Sequence, residues 1–398
     1  MIDWEPHAEE FRLNPYPLYR QLRDESPIYH NEERGFWAVT RFEDCWSALV
    51  DAKRFVNSEG VSLERYEVGQ KLMILMDPPV HTRHRKIMSH LFTPRVIANL
   101  EPWIRDVCVM LLDDLRDRDA FDIVEDFGML LPMYVMAELL GLPDDYRLTA
   151  KRLSHAAAQR VSSNAAPDAA IAASLELNAY LLEETKRRRA RVGDDLISTI
   201  MTTPMIDETG AEVFLDDEQI AAFFFELTFA GNDTTTRAIA NGAVGLSWYP
   251  EQRRELVADP SLIPGAMEEL LRWDNPSHYL ARHTTEEVEL PSGTIPADAH
   301  VAVVIASANH DERTYAEPEL LDIHRKFDRK LWFGIGPHVC IGAALARLEL
   351  RIAFEEFLAR FSDFHIADTG CVQDMSGQNR GLFHLPLVID RHATAASV

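Results

Sequence analysis

The stretch Trp332-Phe-Gly-Ile-Gly-Pro-His-Val-Cys340-Ile-Gly-Ala-Ala-Leu-Ala-Arg347 decides how the rest of the chain is read. Gly334, Gly336 and Pro337 force a tight, irregular backbone just before the cysteine. From Ile341 onward apolar residues recur at helical spacing, so a helix is expected over 341–361. Cys340 therefore stands at a helix N-terminus, where unpaired N–H groups and the helix dipole favour negative charge. Such a place lowers a thiol's pKa and yields a thiolate. A thiolate there binds a soft or borderline metal, or acts as a nucleophile. Most lone cysteines are simply packed, but a packed cysteine needs no glycine cluster in front of it.

Helical periodicity also dominates outward from this segment. Helices are expected over 100–118, 170–191, 216–249 and 264–272. The longest, 216–249, opens with Asp216-Asp-Glu, a helix-start signal, and Pro250 stops it. The basic run from Lys186 to Arg191 suits a helix C-terminus and reads as a solvated face. Short strands are expected at 36–40, 288–290 and 300–305, a turn at 207–214, and a loop or helix end at 162–173. No repeat or low-complexity linker divides the chain. Residues 1–398 read as one domain, mainly α with small β-sheets. No G-x-G-x-x-G follows a strand, so no dinucleotide-binding domain is expected.

Composition narrows the function classes. The 398 residues are 46% hydrophobic, enough for a large core, and carry a net charge of −24. That charge disfavours nucleic acid and anionic membrane surfaces as partners. Cys45, Cys108, Cys340 and Cys371 form no C-x-x-C pair and match no zinc module. Four scattered cysteines suggest no disulfide scaffold and favour a reducing compartment. The acidic start, Met1-Ile-Asp-Trp-Glu, is not a secretory signal, and no run approaches 18 uninterrupted apolar residues. The expected location is cytoplasmic and unanchored.

The cysteine segment closely resembles the haem-binding loop of the cytochrome P-450 family, F-G-x-G-x-H-x-C-x-G. It matches at Phe333, Gly334, Gly336, His338, Cys340 and Gly342. The resemblance runs from Asn14-Pro-Tyr-Pro to the turn near Arg380-Gly381. It implies the cytochrome P-450 fold and a haem b whose iron takes the Cys340 thiolate, a ligand that favours O–O cleavage. Phe333 would pack against the haem on the thiolate side.

The same resemblance assigns the haem's charges. Two buried propionates need cations and donors. His81 and Arg85, one helical turn apart in Asp77-Pro-Pro-Val-His-Thr-Arg-His-Arg85, match the family's propionate partners, as do Arg282 and His338. Glu269-Leu-Leu-Arg272 resembles the family's E-x-x-R, whose third member here would be Arg325, in a structural role.

Within the longest helix, Ala230, Gly231, Asp233 and Thr234 match the family's A-G-x-[DE]-T. Gly, Asn, Asp and Thr are poor helix-centre residues, so a bend or a break is expected there. By resemblance, Thr234 hydrogen-bonds the oxygen being activated and Asp233 connects a proton path to it. Cleaving O–O consumes protons in a nearly dry pocket. Glu226, Ala230 and Thr234 share a helix face, which brings Glu226 to the substrate cavity or turns it toward a structural cation or water. Phe229 is expected to line the cavity too.

The resemblance implies a monooxygenase that inserts one atom of O2 into a hydrophobic small molecule, and the habit of the family suggests a terpenoid, steroid or fatty-acyl type. The chain carries no flavin or iron–sulfur module, so two electrons come from outside, by resemblance from a ferredoxin and its reductase. Basic residues near the thiolate side, Arg83, Arg85, Lys86, the run Arg325 to Lys330, Arg347 and Arg351, suggest an acidic ferredoxin. Two other readings stay open here. A peroxide-driven haem-thiolate peroxygenase does not need the Asp233–Thr234 relay. A haem-binding sensor or carrier needs the cysteine loop but not the 230–234 composition. Substrate contacts are expected near 58–73, 153–173, 226–230, 277–281 and 379–383.

Overall fold

The computed structural model describes residues 2–64, 72–143, 149, 152–153, 156–157, 167–193, 196–374 and 377–391. Six of its helices position the site: α1 (Val80–Met88), α2 (Pro94–Asp113), α3 (Asp168–Arg189), α4 (Asp217–Trp248), α5 (Ile263–Trp273) and α6 (Ala343–Arg360). The fold is mainly helical with small sheets, as expected.

Local chemistry sets the helix ends. Asp216 caps α4 by accepting the Gln219 N–H at 2.7 Å, and the Gln219 side chain accepts the Asp216 N–H at 3.0 Å. α2 begins earlier than the apolar periodicity indicates, because Thr93 caps it and Pro94 occupies its first turn. α4 runs 32 residues with no break at the 230–236 composition. The Thr234 and Thr236 hydroxyls donate to the Ala230 and Asn232 carbonyls at 2.6 and 2.8 Å, so they are satisfied inside the helix.

α4 passes through the centre of the helical layer. It packs on α3, α5 and α6. At Gly242 a Cβ would lie 2.6 Å from the Phe354 ring of α6, so glycine lets the two helices approach. Leu112, Phe224, Leu246, Leu271 and Phe354 belong to the one large apolar cluster that runs through the helical layer. Burying each such side chain stabilises by about 1.5–3 kcal/mol. Phe354→Ala would open a cavity at the crossing and cost about 3–5 kcal/mol.

A five-stranded sheet flanks the helices. Its order is Ile28–Asn31, Phe36–Val39, His300–Val303, Leu280–Thr284, Phe55–Val56. Only the pairing of 36–39 with 300–303 is parallel. Leu280 and Arg282 lie two apart, so they share one face of their strand, and both reach the same cavity. The strand expected to extend to 305 ends at Val303, and Ile305–Ala308 turns helical. The expected turn at 207–214 links the short strands Met205–Ile206 and Glu212–Val213. In the expected loop or helix end at 162–173, residues 162–166 lie outside the described residues, and α3 starts within the rest, at Asp168.

Candidate functional site

The cysteine loop is held by its own backbone. Gly334 N–H donates to the Leu331 carbonyl at 2.7 Å, and Cys340 N–H donates to the Phe333 carbonyl at 2.8 Å. Gly334 and Gly336 have φ of +67° and +76°, a region that side chains rarely adopt. A Cβ on Gly336 would sit 2.5 Å from the Leu49 carbonyl, so the loop seats directly on the neighbouring backbone. Gly342 is the N-cap of α6. Arg347, one turn into that helix, lies over the Phe333 ring at 4.5 Å.

Cys340 has accessible surface, and it borders a cavity. Burial nevertheless raises its pKa, against the Gly342 N–H, Arg85 and Arg347, which lower it. The expected lowering by the helix terminus is therefore outweighed. The loop donors favour the thiolate but do not produce it unaided. A coordinated metal would, since a coordinating thiol is deprotonated outright.

The cavity has a volume of about 280 Å³. α4 forms one wall through Glu226, Ala230, Gly231 and Thr234. The cysteine loop forms the facing wall through Phe333, Gly334, Cys340 and Gly342. His81, Arg85, Arg282 and His338 also line it. The His81 and His338 rings stand 4.0 Å apart. His81 Nδ1 and His338 Nε2 are buried with no hydrogen-bond partner among the described residues. Arg282 is buried and donates to the Ala281 carbonyl at 2.7 Å, while Arg85 donates to the Val339 carbonyl at 2.6 Å.

These four groups disfavour one another's charge. Burial, then Arg85, pushes His81 down to about 4. Burial, then His81, Arg282 and Arg85, pushes His338 down to about 3. Burial lowers Arg282 to about 10, with Asp77 opposing. Asp77 is itself occupied by the Asn57 and Ser58 N–H groups at 2.8 and 3.1 Å. Unpartnered donors and crowded cations around a cavity beside a cysteine fit a dianionic, metal-bearing guest. The propionates and iron of haem b meet that description.

On the α4 wall the sequence expectations divide. Thr234 lines the cavity, with its hydroxyl bonded back to Ala230. Asp233 is not among the lining residues. Its carboxylate accepts two bonds from Arg237, at 2.8 and 2.9 Å, and Arg237 also pairs with buried Asp374. Burial works against the Arg237 charge, yet the two carboxylates hold its pKa above the ordinary value. The sequence reading missed Arg237. Its position one turn after Asp233 was a legible signal, whereas Asp374 gave none.

Phe229, expected to line the cavity, does not. It stands outside the lining and stacks on Phe225 at 6.3 Å. At about 100° per residue, the lining positions from Glu226 to Thr235 sweep one half of the helix, and Phe229 falls about 60° behind that sector. Glu226 does line the cavity. It meets no cation among the described residues: its two oxygens accept the Met73 and Ile74 N–H groups at 2.7 and 3.0 Å. Of the segments expected to touch substrate, Met73, Ser277 and Leu280 reach the cavity and 379–383 does not. Residues 65–71 and most of 153–166 lie outside the described residues.

The Glu269–Arg272–Arg325 triad forms as expected. Arg272 meets Glu269 at 2.7 Å, and Arg325 meets it at 3.2 Å. Arg272 also binds the Asn309 and Pro318 carbonyls, which ties α5 to the chain leading into the cysteine loop.

The cytochrome P450 family model matches residues 168–387. Cytochrome P450 130 of Mycobacterium tuberculosis is 36% identical over 384 residues, covering 92% of this chain and 94% of its own length. The vitamin D(3) 25-hydroxylase of Pseudonocardia autotrophica is 36% identical over 361 residues, covering 88% of this chain and 87% of its own. The structure of CYP109Q5 from Chondromyces apiculatus matches with a TM-score of 0.87 at 34% identity, over 98% of both chains. No described helix is long and apolar enough to cross a membrane. A likeness that spans nearly the whole of each partner goes beyond a shared loop, and the chain belongs to the cytochrome P450 family.

Proposed function

We propose that this haem b monooxygenase hydroxylates an apolar small molecule, fed with electrons by an acidic ferredoxin and its reductase, with residues 1–398 acting as one domain. The observation that carries the reading is that Cys340, the four-residue cradle and Thr234 meet on one cavity. When bound, haem b supplies the one-electron and O2 chemistry. The chain's own residues do the rest. Cys340 would ligate the iron, and His81, Arg85, Arg282 and His338 would hold the propionates. Phe333, Gly334 and Gly342 would pack against the group beside Cys340, and Ala230 and Gly231 would pack against it from α4. Thr234 places its hydroxyl at the cavity, and Asp233 passes it protons when its pair with Arg237 opens. The name of the vitamin D(3) hydroxylase relative favours a steroid- or terpenoid-type skeleton.

Part of the basic patch read in the sequence is taken up by ion pairs. Lys330 and Arg347 both bind Glu268, Arg329 binds Glu43, and Arg351 binds Glu101 and Glu355. Arg325 is taken by Glu269. Lys86 on α1 and Arg95 on α2 are exposed and make no ion pair among the described residues. That end of the two helices is the better site for an acidic ferredoxin.

Reconstitution with a ferredoxin, its reductase, NADH and O2 tests the reading, using steroid and terpenoid compounds that shift the haem from low to high spin. Hydroxylated product in proportion to NADH is the expected result. Product formed with peroxide alone, and none with O2 and ferredoxin, would overturn it.

A further inference from the structure

Glu226 stands apart from the other ionisable residues of the cavity. His81, Arg85, Arg282 and His338 make one group, cationic through its two arginines, and Glu349 lies on α6, beyond the cysteine loop. Glu226 is the carboxylate that α4 contributes to the wall, beside Met73, Ile74 and Leu227. It has no cation partner among the described residues. Its two N–H donors come from a single short turn, Met73–Leu75.

Two donors do not complete a carboxylate, which offers about four acceptor sites. Nor do they offset its charge. Burial pushes the Glu226 pKa up to about 7 even though the Met73 and Ile74 N–H groups pull it down. A buried charge of this kind is stable when a counter-charge meets it. The cavity side is where one can arrive. Glu226 lies eight residues, two helical turns, before Thr234 on the same face. At a rise of about 1.5 Å per residue the separation along the helix is about 12 Å.

We propose that Glu226 is a specificity-determining residue that selects substrates bearing a protonated amine, seated at Glu226 while an apolar body extends toward Thr234. The proposal rests on the haem-thiolate reading of the cavity and sharpens its substrate class. The substrate is an apolar amine oxidised far from its nitrogen. A free fatty acid fits poorly, because its carboxylate would meet the Glu226 carboxylate across an apolar wall.

The haem-loaded protein tests this with three ligands on one skeleton: N,N-dimethyldecylamine, decan-1-ol and decanoate. The tertiary amine is hindered from binding iron directly, and its extended chain is comparable to the Glu226–Thr234 separation. Spin-state titrations give three dissociation constants. The wild type should bind the amine at least tenfold more tightly than the alcohol, with decanoate weakest. This series needs no variant. Glu226→Gln should reduce the amine-to-alcohol ratio tenfold or more, and Glu226→Asp, which keeps the charge, should retain most of it. A purely structural role for Glu226 would shift all three ligands together and leave the ratio fixed, which overturns the proposal. A wild type that does not prefer the amine also overturns it. The reduced, CO-bound spectrum of each sample separates the two levels. A normal thiolate spectrum with a flat ratio removes the Glu226 proposal alone, and a missing one removes the reading of the cavity with it.

Discussion

On the thiolate side of the cavity, Phe333, Gly334, Gly336, His338 and Cys340 occupy one short loop whose shape their own backbone fixes. On the α4 side, Glu226 and Arg237 find partners 153 and 137 residues away, at Met73 and Asp374. The loop works because residue types are needed where they stand: glycine for a positive φ and, on the proposed function, cysteine for the iron. The α4 wall works because a regular helix carries side chains to distant neighbours. A change in the loop should therefore remove the chemistry outright. A change on α4 should alter stability, coupling or selectivity by degrees.

The sharpest way to break this contrast is at Cys340. Cys340→Ala should abolish the thiolate signature of the reduced, CO-bound protein, and Cys340→His should give an imidazole-type spectrum if haem is retained. An intact thiolate spectrum in the alanine variant would remove the assignment.

Arg237 tests the other side. Arg237→Ala leaves the Asp233 and Asp374 carboxylates facing each other without their shared guanidinium, which is buried. Removing one partner from such a group costs about 3–5 kcal/mol. Urea unfolding of the holoprotein should show that loss, with the thiolate spectrum of the surviving folded protein unchanged. A loss under about 1 kcal/mol would mean that α4 does not depend on this pairing.

The same difference explains what could be read in the sequence. The cysteine loop, the cradle residues His81, Arg85, Arg282 and His338, and the cap of α4 were legible, because each sits in a local pattern. The triad of Glu269, Arg272 and Arg325 was legible in the same way. The pairing of Asp233 with Arg237 was open to reading from their spacing, one turn apart, but Asp374 was not, since it joins Arg237 only through the fold. Phe229 was misread because sharing a stretch of helix is not sharing a face. Glu226 was left between two readings because its donors are backbone N–H groups, which carry no sequence signal. The ion pairs of Lys330 and Arg347 were hidden likewise: Glu268 looked like any surface acid of α5 until the structure set it between them.

Glu226 also gives a pH signature. Its folded pKa of about 7 lies above its ordinary 4.5, with burial as the main cause. The neutral form is thus favoured by folding. That contribution is full below pH 4.5 and is lost as pH rises through 7. Wild type should lose up to about 3 kcal/mol relative to Glu226→Gln between pH 5 and 8. A stability difference that stays flat across this window would show that the carboxylate is not strained by burial.

A smaller stability effect, with a clear catalytic one, is expected at Thr234. Its hydroxyl already bonds within the helix, so Thr234→Ala should change stability by about 1 kcal/mol or less. NADH consumption should continue while hydroxylated product falls several-fold and peroxide rises in its place. An unchanged product yield per NADH would exclude Thr234 from the relay.

The smallest effect separates two positions on the thiolate side. The sequence pointed to Lys330 as part of the ferredoxin patch. In the structure Lys330, Arg347 and Glu268 sum to one positive charge, and Arg329 with Glu43 sums to none. Lys86 and Arg95 add their charges without an acid paired to either among the described residues. An acidic partner docks where the local field is strongest, and a reversal matters most close to the docked partner. A single exposed charge contributes less than about 1 kcal/mol. Lys86→Glu should therefore raise the apparent ferredoxin KM about two- to fivefold, and Lys330→Glu less. Both effects should fade as salt rises, since screening sets in beyond about 8 Å at physiological ionic strength. A larger effect from Lys330→Glu would return the docking face to the 325–330 run. First-electron transfer indifferent to salt and to both reversals would mean that charge does not guide the partner to this face at all.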